Sequence, residues 1–120
     1  MFNKFIAAGT TAVALLGPVA ETTLPDSVVE RRLVLPLLNE AAMALDEGVV
    51  RSARDGDIAA VFGFGFPPFR GGPLRYTDRV TPQGVVETLR RLEITLGKRF
   101  MPTERLVRMA AAGTTFYSDQ

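Results

Sequence analysis

Apolar positions along this chain recur with the spacing of helices. Val34, Leu37, Leu38, Ala41, Ala42 and Leu45 fall at i, i+3, i+4, i+7, i+8 and i+11, a stripe down one helical face. Ser27-Val28-Val29-Glu30, ahead of the stripe, has the form of a capping box, with hydroxyl and carboxylate three residues apart. Gly48, behind it, reads as a left-handed stop. Pro36 sits inside the stripe. Proline in a helix interior removes a hydrogen bond and typically kinks the helix. The stripe keeps its phase on both sides, so the pattern predicts one long helix with a bend.

Shorter helices follow. Ser52-Ala53-Arg54-Asp55 opens a second by the same capping logic, running to about Phe62 and stopping at Gly63. Pro73 suits the first turn of a third, ending near Asp78. Thr81-Pro82 opens a fourth, with Val85, Leu89, Leu92 and Leu96 on one side and Gly97 at its end. Pro102 to Ala112 makes a last helix, with Leu106, Val107, Met109 and Ala110 inward and Gly113 as stop. No strand-like alternation with paired turn signals occurs. The expected fold is all-α, about five helices, with the long helix as spine.

Composition narrows the chemistry. The chain has 120 residues, which fits a single domain, and it contains neither cysteine nor histidine. Disulfides and ordinary zinc sites are therefore excluded, and so is the commonest general base near neutral pH. No other metal site is expected. Fourteen basic and thirteen acidic residues leave a formal net charge of +1, so no global field steers the chain to nucleic acid. The basic last third (Arg90, Arg91, Lys98, Arg99, Arg105 and Arg108) is interleaved with Glu87, Glu93 and Glu104 and reads as a solvated face. Residues 1–26 form an N-terminal arm or linker, and 27–120 the helical domain. Phe5 to Ala20 is uncharged after Lys4 and has the outline of a signal peptide, but Gly9-Thr10-Thr11 and Gly17-Pro18 interrupt it. It is too short and too broken for a transmembrane helix. The expectation is an arm that packs on the domain, in a cytoplasmic protein.

The densest signal is the loop Gly63-Phe64-Gly65-Phe66-Pro67-Pro68-Phe69-Arg70-Gly71-Gly72-Pro73. So much glycine and proline together specifies a particular backbone path, and three phenylalanines suggest that the loop is packed down. Gly65, Gly71 and Gly72 are expected to hold backbone angles other residues resist. Phe66 and Phe69 are expected to anchor the loop on the long helix.

Asn39-Glu40-Ala41, Glu47-Gly48-Val49, Asp55-Gly56-Asp57, the run from Gly65 to Pro73, Arg75-Tyr76 and Asp78 stand in one order. Arg99-Phe100, Pro102, Glu104-Arg105-Leu106 and Phe116-Tyr117 continue it. Together they resemble the C-terminal helical domain of the L-3-hydroxyacyl-CoA dehydrogenase family, above all the last domain of the multifunctional fatty-acid oxidation alpha subunit. The likeness runs from about Val28 to Tyr117. It implies a 6-phosphogluconate-dehydrogenase C-terminal-like fold and a parent reaction of hydride transfer from an L-3-hydroxyacyl-CoA to NAD. The NAD belongs to another domain of the parent: this chain has no GxGxxG turn after a strand. The family's catalytic copy of this domain carries an asparagine where Arg31 stands here. A guanidinium only donates and is always charged, so no catalytic residue is assigned to this chain. The resemblance implies an accessory domain that buttresses the catalytic and nucleotide-binding domains.

Four polar residues are candidates for contacts to the loop or to an acyl-CoA: Asn39, Glu40, Arg70 and Arg75. Asn39 is expected to satisfy backbone groups of the Gly/Pro loop, and Glu40 to pair with Arg70 or Arg75. Asp55 and Asp57 are read as acids in the first turn of the second helix, held by its dipole. Two other readings stay open. One is a self-sufficient acyl-CoA-binding module, which needs an apolar groove with arginines at its mouth. The other is a small homodimeric interaction protein.

Overall fold

The structure, a computed structural model, describes residues 24–117. Five α-helices run in order: α1 (Asp26–Asp46), α2 (Ala53–Phe64), α3 (Pro73–Val80), α4 (Pro82–Leu96) and α5 (Glu104–Ala112). Short 3-10 turns at Pro68–Arg70 and Lys98–Phe100 precede α3 and α5. The described residues contain no strand, and no helix among them is long and apolar enough to cross a membrane. The all-α expectation holds. The expected arm lies mostly outside the described residues.

α1 is the spine: it touches each of the other four helices and is continuous through Pro36. Its start differs from the sequence reading. The helix begins at Asp26, and the cap position is Pro25, with no side-chain cap. The carbonyl of Pro25 accepts from Val28 N at 2.9 Å and Val29 N at 3.2 Å. Ser27 therefore lies inside the first turn, and the Ser27/Glu30 capping box does not form. Pro25 is held extended, at φ −58° and ψ 144°, which places the cap two residues earlier than Ser27.

The buried face of α1 is Leu35, Leu38, Asn39 and Ala42, turned slightly from the predicted stripe. Val34, Ala41 and Leu45 flank it as partly buried neighbours. The core joins Leu35, Leu38 and Ala42 to Leu74 of α3, Val85, Val86 and Leu89 of α4, Phe100, and Leu106 of α5. Burial of such side chains contributes about 25 cal/mol for each Å² removed from water.

The other helices keep most of their predicted limits. Ser52 caps α2, its hydroxyl accepting from Asp55 N at 3.1 Å. Thr81 caps α4, accepting from Gly84 N at 3.1 Å, with Pro82 at the first helical position. Thr81 alone separates α3 from α4 and sits at φ 70°, a conformation a β-branched residue resists. The expected stop of α2 at Gly63 is corrected: the helix runs on to Phe64, and Gly65 ends it at φ 77°. Gly63 is helical, so only the second glycine of the pair supplies the left-handed turn.

Candidate functional site

The Gly/Pro/Phe loop passes from the end of α2 to the start of α3 and is held by one carboxylate. Asp57 is only 3% exposed. Its Oδ1 accepts from Leu74 N at 2.7 Å, and its Oδ2 from Arg75 N at 3.0 Å. Asp57 therefore caps α3 from a neighbouring helix, satisfying amide donors that the start of a helix leaves open and meeting its positive end. Gly72 makes this approach possible. At φ 104° it sits in a region that L side chains avoid, and a Cβ there would overlap Asp57 Cβ and Cγ.

The last described residues close over the same group. Asp78 of α3 accepts from Phe116 N at 2.8 Å and Tyr117 N at 2.9 Å. Tyr117 Oη donates to Asp57 Oδ2 at 2.6 Å, and the Arg75 guanidinium lies 4.0 Å from the centre of the Tyr117 ring. Burial, and then the bond to the Asp57 carboxylate, hold the Tyr117 phenol well above the usual tyrosine range.

Asp57 is the residue the sequence reading placed wrongly. Asp55 does occupy the first turn of α2, where Arg51 Nε donates to it at 3.1 Å. Asp57 lies a turn further in, on the core side with Ala60. Asp57 and Ala60, three apart, share one face of α2, but the local pattern does not mark that face as the buried one, since Ile58 and Phe62 on another face are exposed.

The other candidates fall as follows. Phe66 is 6% exposed and its ring meets Tyr76 of α3 at 6.5 Å between centroids, tilted by 56°. The resolved ring contact of this anchor is thus with α3. Phe69 is not an anchor: it is 76% exposed, because the 3-10 turn Pro68–Arg70 aims it outward while Arg70 bends back over the Tyr76 ring at 5.0 Å. Pro67 and Pro68 start that turn, Gly71 ends it, and Pro73 is the buried first residue of α3. Glu40 is exposed, and among the described residues no ion pair joins it to Arg70 or Arg75. Both guanidiniums lie on aromatic rings instead. Asn39 does satisfy loop backbone, but of a different loop. Its Nδ2 donates to Met101 O at 2.9 Å and its Oδ1 accepts from Thr103 N at 2.9 Å, clipping the α4–α5 connection to α1.

The buried amide and carboxylate are thus both engaged by internal partners. No cluster of three His, Cys, Asp or Glu that could hold a metal occurs among the described residues. Part of the outward surface is apolar. Ile58 and Phe62, one turn apart on α2, are 46% and 86% exposed, and Phe64 is 61% exposed. Phe64 also lines a groove of about 390 Å³ between α1 and α2, with Leu37, Glu40, Ala41 and Ala44 on the α1 side. α2 buries Asp57 and Ala60 on one side and carries Ile58 and Phe62 on its outer side, where uncovered apolar surface marks an interaction site. A second cleft, of about 530 Å³, lies between α1, α3 and α4. Its walls include Val34, Leu35, Leu38 and Val85, with Arg31 and Arg91 beside them.

No family model matches the chain.

Proposed function

We propose that this chain is an accessory, assembly domain of the 3-hydroxyacyl-CoA dehydrogenase type from fatty-acid β-oxidation, working by docking rather than by chemistry. The parent reaction is oxidation of an L-3-hydroxyacyl-CoA to the 3-ketoacyl-CoA with NAD, carried out by other domains in the cytoplasm. The observation that carries the docking role is the uncovered apolar surface of α2 and the loop after it. Phe62, Phe64 and Phe69 are 86%, 61% and 76% exposed. Taking ~200 Å² per phenylalanine, the three rings present about 450 Å² to water. A standard interface buries about 800 Å² per partner, so three side chains would supply around half of one. The ordered motif from Asn39 to Tyr117 supports the family, and the capped, glycine-dependent loop supports a structural role for the motif's densest part.

The test is light scattering on the purified chain, alone and mixed with the nucleotide-binding domain of a 3-hydroxyacyl-CoA dehydrogenase. Association is expected in one or both samples and should be lost in Phe62→Ser, which melts like the parent. A strictly monomeric chain that ignores that domain and binds no hydrophobic dye would refute the docking role. Production of NADH by the isolated chain would refute the non-catalytic one.

A second reading, a module that itself binds acyl-CoA, is favoured by the cleft between α1, α3 and α4. Arg31 and Arg91 line it beside an apolar floor, together with Glu30, and among the described residues neither arginine forms an ion pair. Calorimetric titration with an acyl-CoA separates the two readings: saturable binding, lost in Arg31→Gln, selects the module.

A further inference from the structure

A third cleft, of about 590 Å³, opens between the start of α2 and α5, and its wall is rich in hydrogen-bond donors. Arg51, Arg105 and Arg108 line it together with the hydroxyl-bearing Ser52, Thr114 and Thr115, and no acidic residue does. From these features we infer that this cleft binds the phosphoryl group of a small molecule, a phosphate monoester or a pyrophosphate.

The donors are in place and largely unused. Each arginine spends one nitrogen in a hydrogen bond: Arg51 Nε on Asp55 at 3.1 Å, Arg105 Nη1 on Asp46 at 3.1 Å, and Arg108 Nη2 on the same Asp46 oxygen at 3.5 Å. Two guanidiniums thus share one carboxylate oxygen. Arg108 also reaches Glu104 at 3.6 Å, beyond hydrogen-bonding range, and that glutamate side chain is 92% exposed. Nε of Arg105 is buried without any partner. Each guanidinium carries five N–H donors in a planar fork that matches phosphate oxygens. The carboxylates that hold them stand outside the lining of the cleft, and ion pairs this exposed are held weakly. A phosphoryl dianion in the cleft can therefore take the free edges of all three without breaking a buried bond.

Two of the three hydroxyls are free to donate to the site. Ser52 Oγ accepts from Asp55 N, which leaves its O–H free to donate. Thr114 has no side-chain partner among the described residues, while Thr115 Oγ1 donates to Tyr117 O at 2.6 Å. Ser52 and Ala53 also bring the positive end of the α2 dipole to the cleft wall. This inference is independent of the docking role: it concerns α5 and the start of α2, not the apolar end of α2 or the loop.

The test is an NMR titration of the 15N-labelled chain with inorganic phosphate and, separately, pyrophosphate, at constant ionic strength. Saturable shifts confined to residues 51–55 and 105–115 are expected, with pyrophosphate the tighter of the two. Arg105→Gln and the highly exposed Arg51→Gln should each weaken binding about tenfold, the loss expected for one charged hydrogen bond. Asp46→Asn removes the competing carboxylate and should tighten binding. Shifts that never saturate, that spread equally to Arg31, Arg91 and Arg99, or that persist unchanged in Arg51→Gln would overturn the assignment. So would weaker binding in Asp46→Asn.

Discussion

Replacing Asp57 by alanine tests the account of the loop most directly. The substitution removes the acceptor of three donors: Leu74 N at 2.7 Å, Arg75 N at 3.0 Å and Tyr117 Oη at 2.6 Å. Leu74 is wholly buried, so its amide cannot turn to water. A buried donor left without a partner costs about 1–3 kcal/mol, and a bond to a charged acceptor contributes about 1.5–3 kcal/mol. The amide of Arg75 and the phenol of Tyr117 are only partly buried and recover some of their loss by hydration. The expected total is about 4 kcal/mol, a large part of the ~5–15 kcal/mol of a domain this size. At roughly 4–8 °C per kcal/mol the melting temperature should fall by about 15–30 °C. Asp57→Asn should lie between wild type and alanine, since one amide oxygen can serve one helix N–H but the amide nitrogen opposes the other donors. Thermal melts followed by circular dichroism give all three values. If Asp57→Ala melts within about 3 °C of wild type, Asp57 is not the clamp of the loop.

Gly72→Val should be at least as damaging as Asp57→Ala, because it combines a positive φ with overlap onto Asp57; failure to recover folded protein, or a melt lowered as far, is the expected result. Phe66→Ala should cost about 3–5 kcal/mol as a buried ring is lost, whereas Phe69→Ala should leave the melt almost unchanged, and urea denaturation compares the two. The raised Tyr117 phenol stabilises the fold only while it keeps its proton: its contribution is complete below the unfolded value near 10 and is lost as pH rises through the higher folded one. Urea midpoints at pH 8 and 10.5 should therefore differ more in wild type than in Tyr117→Phe, and equal differences would refute the Tyr117–Asp57 link.

The helices were legible in the sequence because their signals are local. Ser52, Thr81-Pro82, Gly97 and Gly113 act on the backbone within a turn of where they stand, and each sits at the end of the helix it was expected to bound. The partners of buried polar groups were not legible, because they come from far along the chain. Asn39 reads as a residue with an amide to satisfy, but Met101 and Thr103 are more than sixty positions away. Asp57 caps a helix seventeen residues on, while capping rules describe only the nearest turn. Polar residues on the core face also blurred the hydrophobic pattern. Asn39 is as buried as Val86, so a stripe drawn through apolar residues alone comes out rotated. Phe69 failed for a different reason: an aromatic in a tight loop has no neighbour in sequence to say which way the turn aims it.

The link from Tyr117 to Asp57 spans sixty residues, and the Asn39 clip a little more. Contacts of such separation repay the entropy of closing their loops only when both ends are present. During synthesis α1 and α2 emerge from the ribosome first, with their apolar faces bare. The loop clamp cannot be completed until Phe116 and Tyr117 have left the exit tunnel. Emergence of Phe116 and Tyr117, rather than growth of any one helix, then sets the moment at which the loop clamp closes. Until then the uncovered α2 surface is at its largest, and a nascent chain stalled short of Tyr117 should be a substrate for chaperones and proteases.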